Sequence, residues 1–167
     1  MKTFLPFVTA LLVSFSAFCQ SGPELVFINP ELVNGTANKE CAVYRFNNVT
    51  TGVDAEIKLK RFSRNDIVMA TVDNAVLGWN KAFQPEFGLS GLVAANQNWY
   101  VDFELSFYKA GTGTRQLMDT VDLTALDVDG DGHAISEYVT YSNPSSISFS
   151  TVSYLTSSPV GGAGQVF

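Results

Sequence analysis

Val53-Asp54-Ala55-Glu56-Ile57-Lys58-Leu59-Lys60 sets an apolar residue at every odd position and a charged one at every even position. Successive side chains of an extended strand point to opposite faces. A period of two therefore puts Val53, Ala55, Ile57 and Leu59 on a core and turns their neighbours toward water. The pattern returns where Val101, Phe103, Leu105 and Phe107 alternate with Asp102, Glu104, Ser106 and Tyr108, and again where Ile147 and Phe149 alternate with Ser148 and Ser150. Weaker strand signals run through Ala42–Phe46, Ile67–Val72, Leu117–Leu123, Ile135–Tyr141 and Val152–Leu155. Turn-forming clusters separate them: Asn47-Asn48, Ser63–Asp66, Asp73-Asn74, Asn96–Asn98, Gly111–Gly113 and Asp129–Gly132. No long stretch keeps a clean 3.6-residue period. The expected fold is all-β, an antiparallel β-sandwich or jelly roll.

The chain before this domain reads as an export signal. Lys2 supplies a positive start, an apolar run extends from Phe4 to Phe18, and Ala17 and Cys19 stand two apart as a small-residue cleavage site requires. Cleavage is expected between Cys19 and Gln20. The run is shorter than the ~20 residues of a membrane-spanning helix, and the large Phe18 before Cys19 disfavours lipidation of that cysteine. The expected organisation is a signal peptide over 1–19, a leading strand and loop over 20–40, a single β-sandwich domain over 41–158, and a Gly-rich tail or truncated linker over 159–167. The mature protein is expected to be secreted or held at the cell surface, without membrane insertion once the signal is removed.

Composition narrows the partners. The formal net charge is −6, and loss of Lys2 makes it one unit more negative. Such a chain repels phosphate backbones and anionic lipid, which excludes nucleic acid as an expected partner. Thirteen Phe and six Tyr among few charges suit a packed β-rich fold and not a disordered one. Once Cys19 leaves with the signal, Cys41 stands alone, makes no intrachain disulfide, and is expected to be a small buried hydrophobe. A secreted domain without disulfides needs a good core or another staple, such as a metal.

Asp127-Val128-Asp129-Gly130-Asp131-Gly132 offers that staple. Three carboxylates at alternate positions, with glycines permitting a sharp turn, can wrap oxygens around one hard cation, and Ca2+ accepts six to eight of them. Asp127, Asp129, Asp131 and Gly132 match the first, third, fifth and sixth positions of the helix-loop-helix calcium pattern, and the carbonyl of His133 falls at the seventh. The twelfth position is Tyr138, with Glu137 one residue early. The flanks read as strands, so this is expected to be a related Asp-rich loop between strands. The expected ligand set is Asp127, Asp129, Asp131, His133 and Glu137. The alternative is an ordinary acidic turn. Asp54 and Asp102 are further acidic candidates, each expected on a solvated strand face.

Catalytic signatures are weak. His133 is the only histidine and lies inside the Asp-rich loop, which leaves a Ser-His-Asp triad without a base elsewhere. One His and one Cys do not build a usual zinc site. Gly111-Thr112-Gly113-Thr114 lacks the lysine of a phosphate loop and reads as a hairpin turn. Carboxylate pairs for a glycoside hydrolase exist in any chain with sixteen acids. Trp79, Trp99 and Tyr100 could stack on sugars, against the alternative of core or rim packing.

Val43-Tyr44-Arg45-Phe46-Asn47-Asn48-Val49 leads through Gly52 to Val53-Asp54-Ala55. Ala82-Phe83-Gln84-Pro85, Tyr100-Val101-Asp102-Phe103, Ala110-Gly111-Thr112, Asp127-Val128-Asp129-Gly130 and Glu137-Tyr138-Val139 follow. This succession, over roughly residues 40–142, resembles an N-terminal domain of large secreted bacterial surface proteins. Many of those carry adhesion-type repeats and a gliding-motility-associated or type IX secretion C-terminal domain. The resemblance implies a β-sandwich, export and a surface role without enzymatic activity. The expected function is a calcium-stabilised, non-catalytic module of cell adhesion or surface assembly, whose partner is a surface polymer, a glycan or another surface protein. A carbohydrate-binding module is the alternative, and a carboxylate-dependent glycoside hydrolase a more distant one.

Overall fold

The computed structural model describes residues 22–76, 78–94, 97–124, 136–148, 157–160 and 163–166. These residues form an all-β, antiparallel fold of nine strands: β1 (Glu31–Asn34), β2 (Val43–Thr50), β3 (Val53–Phe62), β4 (Ile67–Thr71), β5 (Glu86–Leu89), β6 (Val101–Lys109), β7 (Val139–Ser142), β8 (Ser157–Val160) and β9 (Ala163–Val166). They make a four-stranded sheet in the order β1-β2-β3-β6, a two-stranded sheet β4-β5, and a three-stranded sheet β7-β9-β8.

The alternation that opens the sequence argument builds the core. In β3, Val53, Ala55, Ile57 and Leu59 are buried, and their register partners Phe107, Leu105 and Phe103 of β6 share that face beside Ala55, Ile57 and Leu59. Tyr44 and Phe46 extend it into β2, while Met69 of β4 and Phe87 of β5 pack on it from the hairpin. Phe83 joins the layers. Its ring lies 5.3 Å from Phe103, 6.1 Å from Phe27 and 6.2 Å from Phe46, edge-on to Phe103 and Phe46. Each fully buried ring or Leu side chain contributes about 1.5–3 kcal/mol of transfer free energy, which is what orders these strands. The opposite face carries exposed or half-exposed ion pairs, Arg45–Glu56 at 3.3 Å and Lys60–Glu104 at 3.4 Å.

Several expectations differ from the structure. Asn47-Asn48 is not a turn between strands but a bulge inside β2. Phe46 pairs with Ala55 and Thr50 with Val53, so three β2 residues face Asp54 alone, and Asn48 takes a left-handed φ of 52°. Leu117–Leu123 is not a strand, and Leu117 faces solvent. Residues expected as a tail supply β9 and part of β8. Cys41 is exposed, because the chain turns there with a φ of 69° and delivers Ala42, fully buried, to the core in its place. The hairpin expected at Gly111–Thr114 is present: Gly111 has a φ of 70°, Lys109 N–H donates to Thr114 O at 2.9 Å, and Tyr108 bridges Arg115. Among the described residues no helix is long and apolar enough to cross a membrane.

Asp54 overturns the solvated-face expectation. It is 1 % exposed, although it lies on the face opposite the core. The β2 bulge and the β6 turn close over it. One carboxylate oxygen accepts Asn48 N–H and the other accepts Gly111 N–H, each at 2.8 Å. Asp54→Ala leaves both part-buried amides without their acceptor, and the expected loss of stability is about 1–3 kcal/mol in urea unfolding. Asp54→Asn keeps one acceptor and is expected to fall between the two; a wild-type midpoint for both variants overturns the clamp.

Candidate functional site

The loop that joins β4 to β5 is tied down by a set of side-chain and backbone hydrogen bonds. Asp73-Asn74 starts it, as the turn signal predicts. Asn74 N–H donates to Gln84 O at 2.8 Å, and the Asn74 side-chain oxygen accepts Val76 N–H at 3.0 Å. The Gln84 amide then clips the loop from inside. Its Nε2 donates to Asn74 O at 3.0 Å and to Trp79 O at 2.8 Å, and its Oε1 accepts Trp79 N–H at 3.0 Å. Gly78 has a φ of 69°, and a Cβ there would collide with Gln84 Oε1, so glycine is needed for the clip to close. Phe27 N–H reaches Lys81 O at 2.8 Å, which ties the loop to the N-terminal segment. Phe83 then drops into the aromatic core.

Among its described residues this framework displays two large apolar side chains. Trp79 is 61 % exposed and Val76 90 %. Of the sequence-proposed aromatics, Trp99 is half-buried, edge-on to Phe87 at 5.9 Å, and Tyr100 lies under Arg61 at 5.7 Å. Trp79 alone of the three stands well clear of the fold.

Beneath the loop, Asp73 is 8 % exposed. Its Oδ1 accepts Gln84 N–H at 3.0 Å, while its Oδ2 is buried without a hydrogen-bond partner among the described residues. Burial pushes the carboxyl above its ordinary range, against the opposing effect of the Gln84 N–H. Neither Asp73 nor Gln84 was singled out by sequence reasoning. Asp73 carries only its turn signal, and Gln84 enters only within the Ala82-Phe83-Gln84-Pro85 stretch of the resemblance, with no role assigned to it.

Two polar clusters serve the fold. Arg64 and Asp66 form a bidentate fork with both bonds at 2.8 Å, and Arg64 Nη1 donates to Gln97 Oε1 at 2.8 Å. The guanidinium holds the Asp66 carboxyl below its ordinary range. The fork borders a depression of about 290 Å3 lined by Lys39, Glu40, Phe62, Asn65 and Ile67. On the sheet's outer face, Arg45 and Arg115 flank the Tyr108 ring at 5.1 and 5.7 Å, and Arg45 also donates to Thr112 O at 3.0 Å. Burial and the neighbouring Glu56 raise the Tyr108 hydroxyl.

Of the expected calcium ligands, Asp127, Asp129, Asp131 and His133 lie outside the described residues. Glu137 is exposed. Tyr138, next along, has its hydroxyl raised by burial and by the charges of Tyr100 and Asp102, which sets this segment beside the start of β6. Among the described residues no three metal-ligating side chains converge.

The raised Asp73 pKa has a signed consequence. Between the ordinary carboxylate range and the raised value, the folded state holds more protons than the unfolded one, so stability falls as pH rises through that window. Asp73→Asn keeps an acceptor for Gln84 N–H but cannot ionise. Its melting temperature relative to wild type is expected to climb as pH rises from the ordinary carboxylate range through the raised value; parallel curves in a pH series of thermal melts would contradict a buried, ionising Asp73.

No protein-family model matches this chain, and comparisons with curated proteins and with solved structures find no match.

Proposed function

We propose that this chain is a secreted, non-catalytic surface module of adhesion or surface assembly, which meets its partner through the β4–β5 loop. The observation that carries this reading is the contrast within that loop: its backbone is fixed by the Gln84 clip while Trp79 and Val76 project into solvent. A soluble domain gains by burying an indole. Holding one outward on an ordered loop prepays the entropy that a partner would otherwise have to remove on binding. The export signal and the resemblance to secreted bacterial surface proteins support the location. Calcium at Asp127, Asp129 and Asp131, with His133 and Glu137, would neutralise carboxylate repulsion and brace the chain before β7.

Two measurements test this. Purified mature chain should co-sediment with cell envelopes of the source organism, and a Val76→Ser/Trp79→Ala double variant should lose about tenfold in retention, as a truncated hot spot does. Equal retention by both proteins removes the loop from the reading. Separately, the melting temperature should be higher in about 1 mM calcium than in chelator. Asp129→Ala should erase that difference; a melt indifferent to calcium eliminates the metal.

A further inference from the structure

We infer that Asn34 is a self-modification site, where the Gly35 backbone nitrogen displaces the Asn34 side-chain amide and converts the residue to aspartate and isoaspartate. This chemistry is independent of any partner.

The neighbouring residues single out this asparagine. Asn34 is the only asparagine of the chain followed by glycine. Asn29 and Asn143 precede Pro30 and Pro144, whose nitrogens carry no proton to give up. Asn48 precedes the branched and buried Val49. Asn38 donates its side-chain amide to Ala70 O at 3.0 Å and accepts the Tyr44 hydroxyl at 2.9 Å, so its side chain is held elsewhere.

The fold then brings the reacting groups of Asn34 together. Gly35 N–H donates to Asn34 Oδ1 at 2.9 Å, which holds the side-chain carbonyl against the nitrogen that attacks it. Groups kept at contact distance react as a single molecule, without the entropic cost of an encounter. Both residues are exposed at the end of β1, an edge strand of its sheet, so base and water reach them. Gly35 has no Cβ to shield its nitrogen, and the fold leaves no room for one. Its φ is 81°, and a Cβ there would stand 2.9 Å from Ala42 Cα. The turn that leads to the buried Ala42 therefore keeps a glycine beside Asn34.

The step balances without an oxidant or reductant. The Gly35 nitrogen loses its proton to base and bonds Asn34 Cγ. The Cγ–Nδ2 bond breaks, and Nδ2 leaves as ammonia. The cyclic imide that results joins the Gly35 nitrogen to both carbonyl carbons of residue 34. Water opens it on either side: cleavage at Cγ gives aspartate, and cleavage at the main-chain carbonyl gives isoaspartate. Departure of ammonia makes the conversion one-way, so product accumulates with the age of the molecule. Both products add a negative charge to β1, which already carries Glu31. Isoaspartate also routes the main chain through Cγ and lengthens it by one atom. That shifts Gly35 away from Ala42 and loosens the pairing of residue 34 with Val43.

Peptide mapping by mass spectrometry, on the full chain aged in warm, mildly alkaline buffer, tests the site. The peptide that holds Asn34 should show the mass shift of amide to acid before any other asparagine does, with isoaspartate as a separate species. Asn34→Gln, which would have to close a larger ring, should stay unconverted. Asn34→Asp should show no mass shift yet still form isoaspartate through the same imide. Aged wild type, enriched in isoaspartate, should melt below freshly purified Asn34→Asp, which has the same charge without the extra backbone atom. Earlier conversion of another asparagine overturns the site, and so does survival of Asn34 in the folded chain over the time in which it converts in urea. Equal melting of the two proteins overturns the effect on the β1–β2 pairing.

Discussion

A carboxylate that is 1 % exposed closes the four-stranded sheet at one end. Asp54 bonds Asn48 N–H in the β2 bulge and Gly111 N–H in the turn after β6, two segments that the chain separates by more than the whole β3–β5 region. An isolated buried charge is costly, and two short charge-assisted bonds from backbone amides offset that cost. Other features follow from the same point. The bulge must place Asn48 at positive φ to aim its N–H, which carries Val49 into the core. The β6 turn must bring Gly111 over the sheet, and Ala110 N–H then reaches Gly52 O at 2.9 Å. The register of β3 against β2 and β6 is thereby pinned at one end by hydrogen bonds and along its length by alternating apolar pairs.

The second buried aspartate shows what a less complete solution looks like. Asp73 has one oxygen satisfied and one not, and its carboxyl is held above the ordinary range by burial. Such a group works against stability at neutral pH. It persists where the loop above it gains something in exchange, and the candidate is the orientation of Gln84 and, through it, of Trp79. The two aspartates thus divide the molecule: one fixes the sheet, the other supports the surface that projects from it.

The strands of the core were legible because alternation is a statement about burial, and burial is what orders a sheet. Val53, Ala55, Ile57 and Leu59 fall as their spacing demands. Alternation fails at Asp54 because it assigns a residue to a face but is silent about what covers that face, and the cover comes from Asn48 and Gly111, distant in sequence. Cys41 fails for a related reason: composition favours burying a lone thiol, but the local backbone had already turned it outward and given the core position to Ala42. Leu117–Leu123 carries apolar residues without finding a partner strand, so its spacing has nothing to align against. The strongest chemical motif, the Asp-rich run from Asp127 to Asp131, lies outside the described residues, so the residues most visible in the sequence and those most visible in the structure are different sets.

That divergence bears on how the tryptophans are read. From sequence, Trp79 and Trp99 are equivalent aromatics near turn signals. In the fold, Trp99 is edge-on to Phe87, whose ring in turn lies 6.3 Å from Phe103, so removing it would disturb the core. Among the described residues the hydrogen bonds of Trp79 run from its backbone to the Gln84 amide, to which sequence reasoning assigned no role. The indole, 61 % exposed, stands on a loop whose order rests on Gln84, Gly78 and the buried Asp73, and it is this side chain on which the proposed binding role draws. The difference between the two rings lies not in their composition or their neighbours but in which atoms of each residue the fold has used: the ring of Trp99 and the peptide groups of Trp79.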